Sequence, residues 1–257
     1  MPEGDTLVRA AAGLRPYLVG RTVTAASARQ PGPQVERVVG ATITGVEAMG
    51  KNLLIRFDNG LELRTHLRML GSWHRYRPGE RWRRSPSRAR LVIEVQGSVA
   101  VCFDAPVVEL FEQRAEPLHP SLSRLGPDLL KEPVDVDEAI RRLRDPSRAD
   151  LAIAVALLDQ RALAGIGNEV KSEVLWQARR SPFTPVRALD VAALRELVDL
   201  ARDMLRVGAA TGRRPRRIYG HAGRPCPRCG AIVRVEQQAA DLPRLTYWCP
   251  RCQPDPA

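Results

Sequence analysis

Four of the five cysteines stand in two matched pairs, Cys226-Pro227-Arg228-Cys229 and Cys249-Pro250-Arg251-Cys252, with nineteen residues between them. Two Cys-x-x-Cys turns at that separation offer four thiolates to one tetrahedral metal ion, so one structural Zn²⁺ per chain is the first chemistry the sequence implies. The other use of such pairs, as redox-active or unmetallated thiols, is disfavoured by their repetition in a chain expected to be cytoplasmic. Residues 232–235 and 245–248 alternate like the two strands of a hairpin that would carry Arg244. A module of this size has no core of its own, and the metal would supply its folding energy. The fifth cysteine, Cys102, lies in an apolar strand-like run and reads as a buried structural thiol.

The other candidates are individually ambiguous. Pro2-Glu3 is an ordinary N-terminus unless the initiator methionine is removed, as it normally is ahead of proline. Proline then presents a secondary amine with a pKa of roughly 8, against about 10.4 for a lysine, and can act as a nucleophile near neutral pH. Its attack on a sugar C1′ gives a cationic iminium that acidifies the C2′ proton and promotes loss of the 3′ phosphate, with Glu3 placed to move protons. Lys51 precedes a strand in a region almost devoid of lysine and reads either as a solvated turn residue or as a second acid/base group. Leu163-Ala164-Gly165-Ile166-Gly167-Asn168-Glu169 joins two helices through glycines. This is either tight helix packing or a phosphate site at a helix N-terminus. In His66-Leu67-Arg68-Met69-Leu70-Gly71, Met69 and Leu70 are either core residues or wedges that fill the gap left by an everted base.

The elements that must hold these residues divide the chain. Residues 22 to about 104 are β-like, with hairpins expected at Asp58-Asn59-Gly60 and Gln96-Gly97-Ser98 and an exposed basic loop over residues 75–90. A short helix is expected over residues 5–18, leading out of Pro2-Glu3. Past Pro117 the period becomes helical. Helices are expected over residues 135–143, where Asp135 and Glu138 resemble a capping box, over the all-apolar run 151–158, after Gly167, and over residues 190–207. A basic linker, residues 212–224, leads to the metal module. The division is 1–117, a linker over 118–131, then 132–220 and 221–257.

The 257 residues carry a formal charge of +11, and of 40 basic residues only Lys51, Lys131 and Lys171 are lysine. A polyanion is the natural partner for such a chain, and the planar fork of arginine suits phosphate. No secretory pattern opens the sequence and the longest apolar run is too short for a bilayer, so a cytoplasmic protein is expected, and one that binds DNA would be nucleoid-associated. A non-catalytic zinc-containing nucleic-acid binding protein would share the charge, the cysteines and the glycine turn. It gives no reason for Pro2-Glu3 to accompany Lys51 and Arg244.

Taken in order, Pro2-Glu3-Gly4, Gly50-Lys51-Asn52-Leu53-Leu54, residues 66–71, Gly165-Ile166-Gly167-Asn168-Glu169, Ile218-Tyr219-Gly220 and residues 244–253 resemble the formamidopyrimidine-DNA glycosylase and endonuclease VIII family over essentially the whole chain. Gly4 favours the endonuclease VIII branch. The resemblance implies an α+β multidomain fold, with an N-terminal β-sandwich, a helix-two-turns-helix domain and a C-terminal zinc-finger β-hairpin. It implies a bifunctional DNA glycosylase and abasic-site lyase of base excision repair, cleaving by β,δ-elimination through a Pro2 Schiff base. Glu3 is then the proton donor to the sugar, Lys51 a second acid/base group, and Arg244 a phosphate ligand that assists δ-elimination. Asn168 and Arg124 become DNA contacts, and Arg68, Met69 and Leu70 the void-filling positions, with Arg68 where the branch often has glutamine. Ala105-Pro106-Val107-Val108-Glu109-Leu110 stands where the formamidopyrimidine branch has an Arg and a Phe, which argues against 8-oxoguanine; Asp5-Thr6, in place of the common Pro-Glu, marks a subfamily, and oxidised pyrimidines are the expected lesions. The expected partner is damaged double-stranded DNA, with single-stranded and bubble DNA left open, bound by a monomer.

Overall fold

Leu7, Ala11, Leu14 and Leu18 recur at helical spacing, and all four are buried on one face of α1 (Gly4–Leu18). Each leucine so buried contributes about 1.5–3 kcal/mol. Arg15 fastens this helix to the sheet behind it by donating to the Val46 carbonyl at 2.9 and 3.2 Å. The computed structural model describes residues 2–238 and 244–254. It divides into two units, Met1–Ser123 and Arg124–Ala257.

In the first unit, β1 (Val23–Ala28), β5 (Ser72–Tyr76), β6 (Ala89–Val95) and β7 (Ser98–Phe103) form an antiparallel sheet in the order β1-β6-β7-β5. A second antiparallel sheet runs β2-β3-β4-β8, from β2 (Ile43–Met49), β3 (Asn52–Phe57), β4 (Leu61–His66) and β8 (Val107–Glu112). Leu53, Ile55 and Leu63 of one sheet and Leu91, Ile93 and Cys102 of the other share one buried cluster with α1, which makes the unit a β-sandwich. Both expected hairpins form: Gly60 at φ 77° and Gly97 at φ 78° occupy the left-handed positions their turns require. Cys102 has no exposed surface, and burial pushes its thiol pKa far up.

The segment expected as one exposed basic loop is shorter than residues 75–90. Arg75 and Tyr76 belong to β5, Tyr76 is buried, and Trp82 packs against Tyr76 and Phe103 with centroids 6.0 and 5.7 Å apart. β-structure also continues past residue 104, because β8 adds an edge to the second sheet along β4.

In the second unit, α2 (Val136–Leu143), α4 (Asn168–Gln177) and α5 (Val191–Thr211) surround a core that includes Leu143, Val170, Val174, Leu194, Leu197 and Leu205. Asp135 caps α2 by accepting from the Glu138 N–H at 2.8 Å, and Asp190 caps α5 through Ala193 N–H at 2.7 Å. α5 runs four residues beyond its expected end, to Gly212, which closes it at φ 74° with its N–H on the Gly208 carbonyl. The expected helix over residues 151–158 shrinks to α3 (Ile153–Ala156), and Leu151 is exposed. The N–H groups of Ile153 and Ala154 go to the carbonyls of Thr184 and Pro182, so a neighbouring segment takes the donors that would begin a longer helix. The terminal hairpin pairs β9 (Arg234–Gln238) with β10 (Arg244–Trp248), so its first strand starts two residues later than the alternation suggests.

Candidate active site, phosphate contacts and metal centre

In the first unit, α1 begins immediately after Pro2-Glu3. Pro2 is half-buried. The Glu3 carbonyl accepts from the Thr6 and Leu7 N–H groups at 2.9 and 3.3 Å, and the Glu3 N–H reaches Thr6 Oγ1 at 3.4 Å. Helix-capping positions usually carry short side chains, yet Glu3 is 0 % exposed. Its neighbour Asp5 is also buried and accepts the Thr6 N–H at 2.8 Å. Pro2 and the water-excluded carboxyl of Glu3 thus stand on adjacent residues at the start of α1.

Lys51 occupies the two-residue turn between β2 and β3, where Gly50 takes φ 56° and Met49 pairs with Asn52. Behind it runs a polar ladder across the sheet. Asn52 Nδ2 donates to the Met49 carbonyl at 3.0 Å, Arg64 Nε donates to Asn52 Oδ1 at 2.9 Å, and Arg64 Nη1 donates to Glu109 Oε2 at 2.5 Å. His119 Nε2 lies 3.1 Å from the same Glu109 oxygen. The ladder fixes the turn that carries the lysine. His66 sits opposite Asn52 on β4; burial first, then the charges of Arg64, Lys51 and Arg68, push its imidazole pKa down to about 4. It is therefore neutral near pH 7, and its Nδ1 accepts the Arg68 N–H at 3.2 Å.

The loop that follows is tightly made. Gly71 N–H donates to the Leu67 carbonyl at 2.9 Å, and a Cβ on Gly71 would lie 2.6 Å from that oxygen. Arg68 takes φ 45°. Arg84 Nη1 holds the Leu70 carbonyl at 3.1 Å while pairing with Asp104 at 2.6 Å. Leu67 is buried, but Met69 and Leu70 are 63 % and 69 % exposed, so neither belongs to the core. Between β7 and β8 the chain passes directly through Asp104-Ala105-Pro106, and Ala105 is buried, leaving no projecting loop there.

In the second unit, the glycine turn is stitched by Gln160. Its Nε2 donates to the Leu158 and Ile166 carbonyls at 2.9 and 3.1 Å, and its Oε1 accepts the Gly165 N–H at 3.1 Å, with Gly165 at φ 104°. Asn168, the first residue of α4, is buried and donates Nδ2 to the Leu245 carbonyl at 2.8 Å, while its buried Oδ1 has no hydrogen-bond partner among the described residues. This bond ties the positive end of α4 to the strand that carries Arg244, which is itself exposed at the start of β10. Arg124, at the start of this unit, is exposed.

The Sγ atoms of Cys226, Cys229, Cys249 and Cys252 all lie within 4.8 Å of one another, as a tetrahedral thiolate site demands. Burial opposes ionisation of Cys226, but N–H donors from Arg228, Trp176 and Cys229 outweigh it and draw its pKa down to about 6. Trp176 Nε1 lies 3.4 Å from that sulfur. Gln253, fully buried, clamps the site by accepting the Cys249 N–H at 2.9 Å and donating to the Arg180 carbonyl at 2.9 Å. The four residues fit one structural zinc.

Comparison with known proteins agrees with this geometry. Residues 1–106 match the formamidopyrimidine-DNA glycosylase N-terminal domain, 125–218 its H2TH domain, and 223–254 the zinc finger found in FPG and IleRS. A probable endonuclease 8 2 of Streptomyces coelicolor is 40% identical over 272 residues, covering 100% of this chain and 95% of that protein. The chain belongs to the formamidopyrimidine-DNA glycosylase and endonuclease VIII family. Other relatives are the DNA-(apurinic or apyrimidinic site) lyase Nei2 of Mycolicibacterium smegmatis, 36% identical over 98% of this chain and 99% of that one, and an Escherichia coli endonuclease 8, 31% identical over 98% and 100%. The fold is shared with Lactococcus lactis Fpg (MutM) in complex with DNA containing N7-benzyl-Fapy-dG, with a TM-score of 0.85 at 24% identity over 99% of this chain and 100% of that one. The protein is thus a bifunctional DNA glycosylase and abasic-site lyase of DNA repair, with a β-sandwich, an H2TH domain and a zinc-finger hairpin. No helix among the described residues is long and apolar enough to cross a membrane.

Within this family fold, α4 carries residues that sequence reasoning passed over. Val170, Val174 and Leu175 are buried on it, yet Glu169, Lys171 and Glu173 are also 1–2 % exposed. Glu173 accepts the N–H groups of Arg217, Ile218 and Tyr219 at 2.8–3.0 Å. Glu169 pairs with Arg214 and Arg216 at 3.0 and 2.9 Å. Lys171 Nζ donates to Thr246 Oγ1 of β10 at 2.8 Å. The basic linker is therefore laced to α4 by two carboxylates. One signal was available: Lys171 is one of only three lysines among 40 basic residues.

Proposed function

We propose that the Pro2 amine, freed by removal of Met1, attacks C1′ of a damaged nucleotide, breaking the glycosidic bond and forming an iminium. Glu3 gives a proton to the opening sugar and Lys51 serves as a second acid/base group near the departing base. Loss of the C2′ proton then expels the 3′ phosphate, and a second elimination, assisted by Arg244, expels the 5′ phosphate. Asn168, Arg244 and Arg124 hold DNA phosphates. Arg68, Met69 and Leu70 enter the gap left by the everted nucleotide, where exposed apolar side chains replace lost stacking. The observation that carries the reading is Glu3, a carboxyl with no exposed surface next to the N-terminal amine.

Oxidised pyrimidines in double-stranded DNA are the proposed substrates. The direct β7–β8 connection leaves no loop to probe the orphan base as 8-oxoguanine recognition would need. The protein acts as a monomer at the nucleoid, with functional divisions at 1–117, 132–220 and 221–257. Pro2→Gly tests the mechanism. Strand cleavage at an abasic site is lost while zinc content and the circular-dichroism spectrum stay as in the unaltered protein; cleavage at an unaltered rate removes Pro2 from the reaction.

A further inference from the structure

The segment between β5 and β6 is a strap across the outer face of the first sheet, and its side chains alternate. Trp82 turns inward onto Tyr76 and Phe103, and Arg84 turns inward to Asp104 and the Leu70 carbonyl. Arg81 and Arg83 between and beside them are exposed. Arg77, also exposed, opens the strap, where Glu80 Oε2 accepts its backbone N–H at 2.9 Å. The Arg83 N–H donates to Tyr76 Oη at 3.1 Å. The backbone is therefore fixed at four points while three guanidinium groups stand in water.

Neighbouring arginines are taken up by ion pairs: Arg56 meets Glu47, Glu62 and Glu116, and Arg84 and Arg88 share Asp104. Arg77, Arg81 and Arg83 pair with no carboxylate among the described residues. Glu80 is the one acidic side chain on the strap, and it is engaged by a backbone N–H. Three unpaired, fully hydrated cations cost little alone, but holding them on a pinned backbone serves a polyanion, because the ordering is complete before it arrives.

Arg84 also sets where that polyanion runs. By holding the Leu70 carbonyl it joins the strap to the loop that presents Met69 and Leu70. We propose that Arg77, Arg81 and Arg83 form a second DNA-backbone contact, a phosphate rail on the strap that engages the duplex flanking the site where Met69 and Leu70 enter it. The rail reads no bases; it adds sequence-independent affinity and sets the approach of the wedge loop. The placement beside the lesion rests on the wedge reading of Met69 and Leu70, while the rail's affinity for DNA does not.

The test is equilibrium binding of a short undamaged duplex by the full-length zinc-loaded protein between 50 and 200 mM salt, a measurement in which no step at Pro2 takes part. Each phosphate contact contributes about 0.9 to the slope of log K against log salt, so Arg77→Gln/Arg81→Gln/Arg83→Gln lowers that slope by about 2.7. Over this salt range the unaltered protein then loses about 40-fold more affinity than the variant. The corresponding triple lysine variant keeps the unaltered slope, because counterion release follows charge. An unchanged slope in the glutamine variant, or a lowered slope in the lysine variant, overturns the rail. Failure of the lyase reading would appear instead as absence of a covalent adduct at Pro2.

Discussion

Glu173→Ala removes an acceptor on which three backbone N–H groups converge. Glu173 is 2 % exposed, and its Oε1 lies 2.8–3.0 Å from the nitrogens of Arg217, Ile218 and Tyr219, with Oε2 shared by Arg217. Leaving a buried donor unsatisfied costs about 1–3 kcal/mol, and water entering the alanine cavity recovers part of it, so a loss of roughly 3–5 kcal/mol is expected. Glu173→Gln keeps an oxygen in the Oε1 position but exchanges charge-assisted bonds for neutral ones and turns an NH₂ towards the Arg217 N–H. It should cost less, roughly 2–3 kcal/mol. The assay is urea unfolding followed by zinc release to a chromogenic chelator, which reports on the second unit. A loss below about 1 kcal/mol for alanine, or a larger loss for glutamine than for alanine, refutes the view that this carboxylate organises the linker.

Met69→Ala and Leu70→Ala should each leave the unfolding free energy within about 0.5 kcal/mol, since both side chains are exposed, while lowering single-turnover excision of a base from duplex DNA; a large stability loss in thermal denaturation would return them to the core. His66 has a folded-state pKa of about 4 against an ordinary 6.5, so the unfolded chain binds the proton that the folded one refuses. Stability contributed by neutral His66 is complete above pH 6.5 and is lost as pH falls towards 4, with a slope of at most about 1.4 kcal/mol per pH unit that His66→Gln removes in urea titrations at stepped pH. Cys249→Ser or chelation should release one equivalent of zinc and unfold the hairpin, abolishing DNA binding while the β-sandwich signal persists; a hairpin that keeps its near-ultraviolet spectrum without metal contradicts the structural role.

Periodic and chemically distinctive features were legible in the sequence. Glycine-marked hairpins, the starts of α2 and α5, and the paired cysteines each follow from local rules, and each formed where the rule placed it, although α5 runs four residues past its expected end. Two of the misses share a cause, which is competition from segments distant in sequence. Residues 151–158 are helical in pattern, but the carbonyls of Pro182 and Thr184 claim the donors of Ala154 and Ile153. The strap looked like a free loop because nothing in residues 75–90 announces that Trp82 finds Phe103 across the sheet. Pro2, Glu3 and Lys51 in the first unit and Asn168 and Arg244 in the second could be named from the family resemblance, whereas Arg64, Glu109 and His119, which brace the Lys51 turn, could not. They lie on β4, β8 and the segment beyond it; sheet register brings Arg64 to Asn52 and Glu109 to Arg64, and His119 joins through Glu109.

The central claim is covalent chemistry at the N-terminal proline. Borohydride reduction of the protein on an oligonucleotide with one abasic site, followed by peptide mapping of the adduct, tests it most directly. The account predicts a stable cross-link whose modified residue is Pro2, in a chain that has lost Met1. A cross-link mapped to Lys51 or Lys171, or no cross-link from protein that binds the same oligonucleotide with its zinc in place, would contradict it.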